Sequence, residues 1–439
     1  MEDVMIVLLF VSLIIGLASG HPVAFVLGGI ATIFGFLGWG PQTIKIFTNN
    51  INSVMGNFTL VAIAMFTLMA NLLSGSRIAE GLFESMRYLL GRLRGGVAFA
   101  IVVVSTILAA TTGIVGASIV TMGVLGLPVL LRYGYDKKLS TGVIAAGGTL
   151  GILIPPSIML VVMGAQAQVS VGDLFKASLV PGLLLATAYA VYVLFITWKN
   201  PELGPAMTQE ELDAMPLMKR IMGSLVNLVP PVILIAAVLG TIYTGVATPT
   251  EASGVGAFVA LLMTIGYRKF SFKMLSDAMY ETAKTTAMVL VIMIGATAFA
   301  SIFMALNGDQ FFQTIINSLG LNKWGIYIVM MVFIFIMGMF LDWVAIVMIS
   351  FPIFLPLIQN YDFNMVWIVI AISVMLQSSF LTPPFGHALF YIKGVAGERV
   401  SLGEIYRGII PFVIIILIVL VVITVFPEIV LWLPTVFAS

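Results

Sequence analysis

Gly151-Ile152-Leu153-Ile154-Pro155-Pro156-Ser157 interrupts one apolar segment of this chain. Leu381-Thr382-Pro383-Pro384-Phe385-Gly386 interrupts another, with the double prolines 228 positions apart. Two adjacent prolines remove two backbone donors and clash with the preceding turn, so a helix breaks there. In hydrocarbon, the carbonyls freed by such a break need protein, water or an ion as their partner.

Composition places both breaks in hydrocarbon. Of 439 residues, 61% are hydrophobic and 9% charged, with a mean hydropathy of +1.15. A soluble domain carries about 25% charged residues, whereas apolar segments here run from Met5 to Leu433. At roughly 20 residues per span, the length allows about a dozen crossings and some shorter pieces. The chain reads as an all-α polytopic membrane protein. Net charge +1 gives no footing for nucleic acid, and zero cysteines exclude disulfides, iron–sulfur clusters and a thiolate nucleophile. His21 and His387 are the only histidines, too few for a haem or histidine-rich metal site. No GxSxG elbow, HExxH helix or phosphate loop is present, so no enzyme is expected.

Of the 20 Lys and Arg residues, 17 fall in stretches 75–95, 132–139, 198–221, 267–284 and 392–408. The positive-inside rule puts all five on the cytoplasmic side. The N-terminus, residues 164–173 and residues Asn360–Asn364 carry no basic residue and read as periplasmic, as does the C-terminus. Two pairs of short segments then start and end on the same side, 96–131 inside and 324–359 outside, which predicts two re-entrant hairpins of opposite orientation. Internal echoes recur at nearly constant offset. Leu127-Pro128-Val129 matches Phe351-Pro352-Ile353, and Val169-Ser170-Val171-Gly172-Asp173 matches Val400-Ser401-Leu402-Gly403-Glu404.

These echoes divide the chain into two repeats of inverted topology. The first, 5–197, holds a scaffold part 5–74, an arm helix 76–95, hairpin 96–131, broken helix 140–163 and helix 174–197. A cytoplasmic linker 198–221 leads to the second, 222–433. That repeat holds a scaffold part 222–306, arm 310–323, hairpin 324–359, broken helix 366–391 and helix 409–433. Paired broken helices in inverted repeats are the architecture of secondary transporters with a site at the bilayer midplane.

The first hairpin tip, around Thr112, Gly113 and Ser118, is small and hydroxyl-rich. At a hairpin turn its backbone groups lack helical partners, and an ion or a substrate can supply them. Gly148, Thr149 and Gly151 precede Pro155 and Ser157 and predict an unwound centre. There, carbonyls suit Na⁺ and helix N-termini suit an anion. In the second tip Asp342 stands where the first has Ser118. A carboxylate at that depth costs about 2.5–3.5 kcal/mol and calls for a cation, unless it simply caps the second limb beside water. Gln377 and Thr382 offer further oxygens before the second break. His387, just past Pro383, touches either the substrate or a backbone carbonyl. Glu251, beside Pro249, reads as a hydrogen-bonded helix start.

The first hairpin with Leu127-Pro128, Arg132-Tyr133-Gly134-Tyr135-Asp136, Ile154-Pro155-Pro156-Ser157, Leu341-Asp342 and Leu381-Thr382-Pro383-Pro384-Phe385-Gly386 together mark a family. Over essentially its whole length the chain resembles the large membrane subunit of tripartite ATP-independent periplasmic (TRAP) transporters. The resemblance implies a Na⁺-driven importer of a small organic anion, a carboxylate or sulfonate, in a bacterial or archaeal inner membrane. It implies an elevator motion of a transport unit against a scaffold. It also implies two separate partners, a small four-helix (Q-type) membrane subunit and a periplasmic (P-type) substrate-binding protein. Two or more Na⁺ ions and no organic cofactor are expected. Carried onto this sequence, one Na⁺ site involves Thr112, Gly113, Ser118, Gly148 and Gly151, and another Gly338, Asp342, Gln377 and Thr382. The anion is expected at Thr149, Pro155, Ser157, Pro383 and His387. The alternatives are a stand-alone Na⁺/anion symporter of similar fold and an intramembrane enzyme or structural subunit.

Overall fold

Inside a bilayer the backbone must satisfy its own hydrogen bonds, and a helix does so within one segment. A computed structural model describes residues 2–437 apart from Ala214, Asn360 and Phe385. Asn360 and Phe385, both within stretches quoted above, thus lie outside the described residues. The described residues form helices and connecting turns, with no strand among them. Seven of these helices are long and apolar enough to cross a membrane, and further apolar helices are shorter.

The short ones are those that end at the breaks and tips. Helices Gly96–Thr112 and Val115–Arg132 meet at Gly113-Ile114, and Lys323–Gly338 and Trp343–Gln359 meet through residues 339–342. With 16 to 18 residues per limb, each limb reaches about 25 Å at 1.5 Å per residue. The first double proline separates Lys137–Thr149 and a single 3-10 turn, Leu150–Ile152, from Ile158–Ala167. The second separates Met365–Leu381 from His387–Ala396. Both Pro–Pro bonds are cis.

Two groups of helices pack among themselves. Helices Val23–Trp39, Val61–Gly75, Pro249–Gly266 and the 34-residue Phe272–Ala305 form one. The hairpins, the broken helices, Val171–Lys199 and Leu402–Val425 form the other. Within the second group Lys137–Thr149 lies tightly along Leu402–Val425, because Gly142 and Gly408 let the backbones touch. A Cβ on Gly142 would overlap the Gly408 carbonyl, and one on Gly408 the Lys138 carbonyl.

The helix Ile78–Leu90 buries Ile78, Leu82, Phe83 and Met86, and is tied to helix Leu217–Ile235 by Asn227. The Asn227 amide donates to Gly81 O at 3.1 Å and Ser85 Oγ at 2.6 Å. The linker is likewise fastened, with Gly95 N donating to Gly204 O, Met207 N to Gly91 O and Asp136 N to Leu203 O. Some limits differ from those read in the sequence. Near the end of scaffold part 5–74 the chain forms two helices, because Asn57 caps a new start through Thr59 N at 3.0 Å. In scaffold part 222–306 the last helix begins as early as Phe272, where Asp277, Glu281 and Lys284 extend it beyond its apolar part. Segment 409–433 ends at Val425, just before Pro427.

Candidate functional site

The first tip is held by close approach. Gly113 adopts φ +60°, a region that costs other residues about 1–2 kcal/mol, and a Cβ there would lie 2.8 Å from Pro156 O. Tip and break are therefore in direct backbone contact. Gly151 faces the same tip, its Cβ position 3.7 Å from Gly113 C and Ala109 Cα, while Gly148 abuts Ile119. The Thr112 and Ser118 hydroxyls lie 3.2 Å apart, and Thr112 also donates to Leu108 O at 2.8 Å. Beside them is a recess of about 20 Å³ with Ser74, Thr112, Ser118 and Thr121 on its walls, room for one water-sized occupant. The break itself is closed by Ser157, which donates to Ile152 O at 2.6 Å and accepts from Leu160 N at 3.5 Å.

The second tip uses a charge. Asp342 accepts from Ala345 N at 2.9 Å and so caps the helix that begins at Trp343. Gly338, the last residue of the first limb, is pressed on Ser379, whose Cβ would overlap a Cβ at 338. Thr382 donates to Ser378 O at 2.6 Å.

Between the two tips and the two breaks lies a cavity of about 290 Å³. Hairpin one contributes Gly113 to Gly116, and hairpin two Asp342 to Val344. Ile152, Ile158 and Met159 come from the first broken helix, and Phe380, His387 and Tyr391 from the second. Thr285, Met288 and Val289 of the long helix Phe272–Ala305 close it from the other packing group. Four helices begin at this cavity, at Val115, Ile158, Trp343 and His387. A helix start presents unpaired N–H groups and about half a positive charge. Two of the four starts are occupied by side-chain caps, Ser157 and Asp342. The other two, preceded by Ile114 and Gly386, have no side-chain cap. The opposite ends of the neighbouring helices, at Thr112, Thr149, Gly338 and Leu381, present carbonyls.

Of the residues expected at Na⁺, Gly113 and Asp342 line the cavity, while Thr112 and Ser118 line the small recess. Gly148 and Gly151 lie against the first hairpin, and Gly338 against the second broken helix. Of those expected at the anion, His387 lines the cavity, and Thr149, Pro155, Ser157 and Pro383 do not. Thr149 instead meets Gln377: its hydroxyl, which has Ala146 O as its nearer acceptor at 2.8 Å, lies 3.2 Å from Gln377 Oε1. Both are buried, and each stands six residues before its double proline. Among the described residues the Gln377 Nε2 has no hydrogen-bond partner, and the buried Tyr189 hydroxyl lies beside Thr149. Glu251 closes a capping box with Thr248 and is a helix start. Thr285, Met288, Val289, Trp343 and Tyr391 were not foreseen. The first three sit on one helical face, a pattern that ordinary packing also produces.

A family model described as "Tripartite ATP-independent periplasmic transporter, DctM component" matches residues 10–429. The chain is 32% identical over 412 residues to the C4-dicarboxylate TRAP transporter large permease protein DctM of Pseudomonas aeruginosa, covering 93% of each. It is 30% identical over 414 residues to the isethionate TRAP transporter permease protein DctMQ of Oleidesulfovibrio alaskensis, covering 94% of this chain and 64% of that protein. Among solved structures, the YdaH transporter of Alcanivorax borkumensis shares the fold with a TM-score of 0.61 at 15% identity. That match covers 94% of this chain and 97% of the other.

Proposed function

Because the chain belongs to the TRAP transporter family as its large membrane subunit, the DctM component, we propose that it imports a small organic anion driven by Na⁺. The observation that carries this reading is the cavity on which four helix starts converge. Such ends favour a carboxylate or sulfonate, while the carbonyl ends beside them favour Na⁺. One ion is assigned to Thr112, Gly113, Ser118, Gly148 and Gly151, around the first tip and break. A second is assigned to Gly338, Asp342, Gln377 and Thr382, around the other. The anion sits between them, with His387 on its wall.

The two packing groups are the two parts of an elevator. Helices 5–74 and 222–306 form the scaffold, and the hairpins and broken helices form the unit that carries the cavity across. Helices Ile78–Leu90 and Gly308–Ser318 are the arms between them. The two halves are inverted repeats, and the Thr149–Gln377 contact supports this, because equivalent residues can meet only near a two-fold axis. The chain lies in the inner membrane with both termini in the periplasm. A four-helix membrane subunit and a periplasmic binding protein complete it. The longer relative named DctMQ, of which this chain matches 64%, is consistent with a further subunit.

The test is uptake by proteoliposomes holding this chain with its small membrane partner, fed by the loaded binding protein. Uptake should require an inward Na⁺ gradient. Equal uptake without Na⁺ overturns the coupling, and transport by this chain alone would make it a stand-alone symporter.

A further inference from the structure

We infer that the transported anion is a monoanion with an apolar body, a single carboxylate or sulfonate on a hydrocarbon frame, and not a dicarboxylate. The inference rests on the reading above, in that it takes the cavity between the tips as the substrate site. The cavity's two uncapped helix starts are neighbours: Gly116, in the first turn after Val115, touches the ring of Tyr391, one turn after His387, so that a Cβ on Gly116 would lie 2.9 Å from Tyr391 Cζ. This single corner offers free backbone N–H groups, the His387 imidazole and the Tyr391 hydroxyl. One anionic head fits it.

The rest of the lining is unlike it. There the helix starts are already capped by Ser157 and Asp342, and the Asp342 carboxylate itself borders the cavity. The walls between are Ile152, Ile158, Met159, Met288, Val289 and Phe380. Among the described residues, no Lys or Arg lines the cavity. The basic residue adjacent in sequence to a lining residue, Lys284, has a side chain 68% exposed and pairs with Glu281 at 3.9 Å. A second carboxylate would thus meet apolar walls or another carboxylate, with no cationic side chain to pair it, and burial of an unpaired charge is strongly disfavoured. A hydrocarbon body instead gains from the same walls. The volume, about 290 Å³, is at the small end of ligand pockets, which run from about 300 to 1,000 Å³.

The membrane complex can be tested without its binding protein. Thermal unfolding of the purified complex in NaCl is followed with three monoanions, 4-methyl-2-oxopentanoate, phenylacetate and propane-1-sulfonate, and with succinate and malate. At least one monoanion should raise the unfolding temperature by about 5 °C at saturation, at concentrations tenfold or more below those at which either dicarboxylate does so. A dicarboxylate equal to or better than all three monoanions overturns the inference, and so does the absence of any shift by the monoanions. Met159→Lys, which puts a cation on the cavity wall beside the capped start at Ile158, should let succinate stabilise the complex; failure of that variant to respond, with its fold intact, also counts against it. Na⁺-dependent uptake of a dicarboxylate would defeat the inference and leave the Na⁺-coupled reading standing. Stabilisation by a monoanion in choline chloride as strong as in NaCl would do the reverse.

Discussion

The two hairpin tips occupy corresponding places around one cavity and are built from different chemistry. The first has no charge. It turns on Gly113 at φ +60° and sets backbone against backbone at Pro156, with the Thr112 and Ser118 hydroxyls beside it. The second turns at Asp342, which caps its own helix and faces the cavity, and it packs side chain against backbone at Gly338 and Ser379. One tip is thus specified by the space that a missing Cβ leaves, the other by a carboxylate. Substitutions that test shape should fall hardest on the first tip, and those that test charge on the second.

The largest effect is expected at Gly113. Alanine there faces both the left-handed backbone cost and a contact with Pro156 O, a backbone atom that no side-chain change relieves. A displacement of about 1 Å at a reacting centre can cost roughly 100-fold in rate, and Gly113→Ala should lower Na⁺-driven uptake by at least that factor in complex that still elutes as a folded species. Gly338→Ala should be nearly as damaging alone, because overpacking costs about 1–3 kcal/mol. Its nearest obstacle, however, is the Ser379 side chain, with the Ser379 Cα next at 3.0 Å. Gly338→Ala with Ser379→Gly should recover most of the uptake, and no second-site change at Pro156 should do the same for Gly113. Recovery at both tips, or at neither, would erase the distinction drawn between them.

Charge comes next. Asn is about as good a helix cap as Asp, so Asp342→Asn keeps the hydrogen bond to Ala345 N and removes only the negative charge. The unfolding temperature should hold while the Na⁺ concentration for half-maximal uptake rises about tenfold, equivalent to about 1.4 kcal/mol. Asp342→Ala should lose the cap as well, about 1 kcal/mol of stability. An unchanged Na⁺ requirement in Asp342→Asn would reduce this residue to a cap and leave the second ion site without its charge.

How much of the structure is legible in the sequence follows from the kind of signal each part leaves. Pro155-Pro156 and Pro383-Pro384 announce their interruptions locally, and Gly113 marks its turn by lacking a side chain, so these helix ends are legible in the sequence. The membrane character followed from composition. The start of the long helix at Phe272 was not legible, because its polar first turns look like a loop once they leave the apolar core. Nor was the third wall of the cavity, where Thr285, Met288 and Val289 resemble any packing face. Gln377 is the sharpest case. The oxygen that makes it a candidate ion ligand is legible in the sequence, but its side chain also reaches Thr149 across 228 positions, a contact that depends on how two helices cross and leaves no mark in either local sequence.

Smaller effects separate the tips more finely. Thr112→Val removes the hydroxyl pair with Ser118 while the backbone carbonyls of the tip stay in place. If those carbonyls supply most of the first ion site, the half-maximal Na⁺ concentration should rise by only about threefold, less than 1 kcal/mol, and Thr112→Ser should be silent. A shift as large as that of Asp342→Asn would mean that the first tip depends on its side chains as much as the second does.

The smallest effect belongs to the pair that joins the two halves. Thr149 and Gln377 are buried and bonded to each other, and a hydrogen bond of this kind contributes about 0.5–1.5 kcal/mol net. Thr149→Val and Gln377→Leu should each destabilise the complex, and the double variant should lose less than their sum, with an interaction of about 1 kcal/mol measured by a double-mutant cycle. Because the pair ties one broken helix to the other, the single variants should also lower the Hill coefficient for Na⁺ in uptake towards one. Additive stability effects with an unchanged Hill coefficient would mean that the two tips act independently, each answering only to its own break.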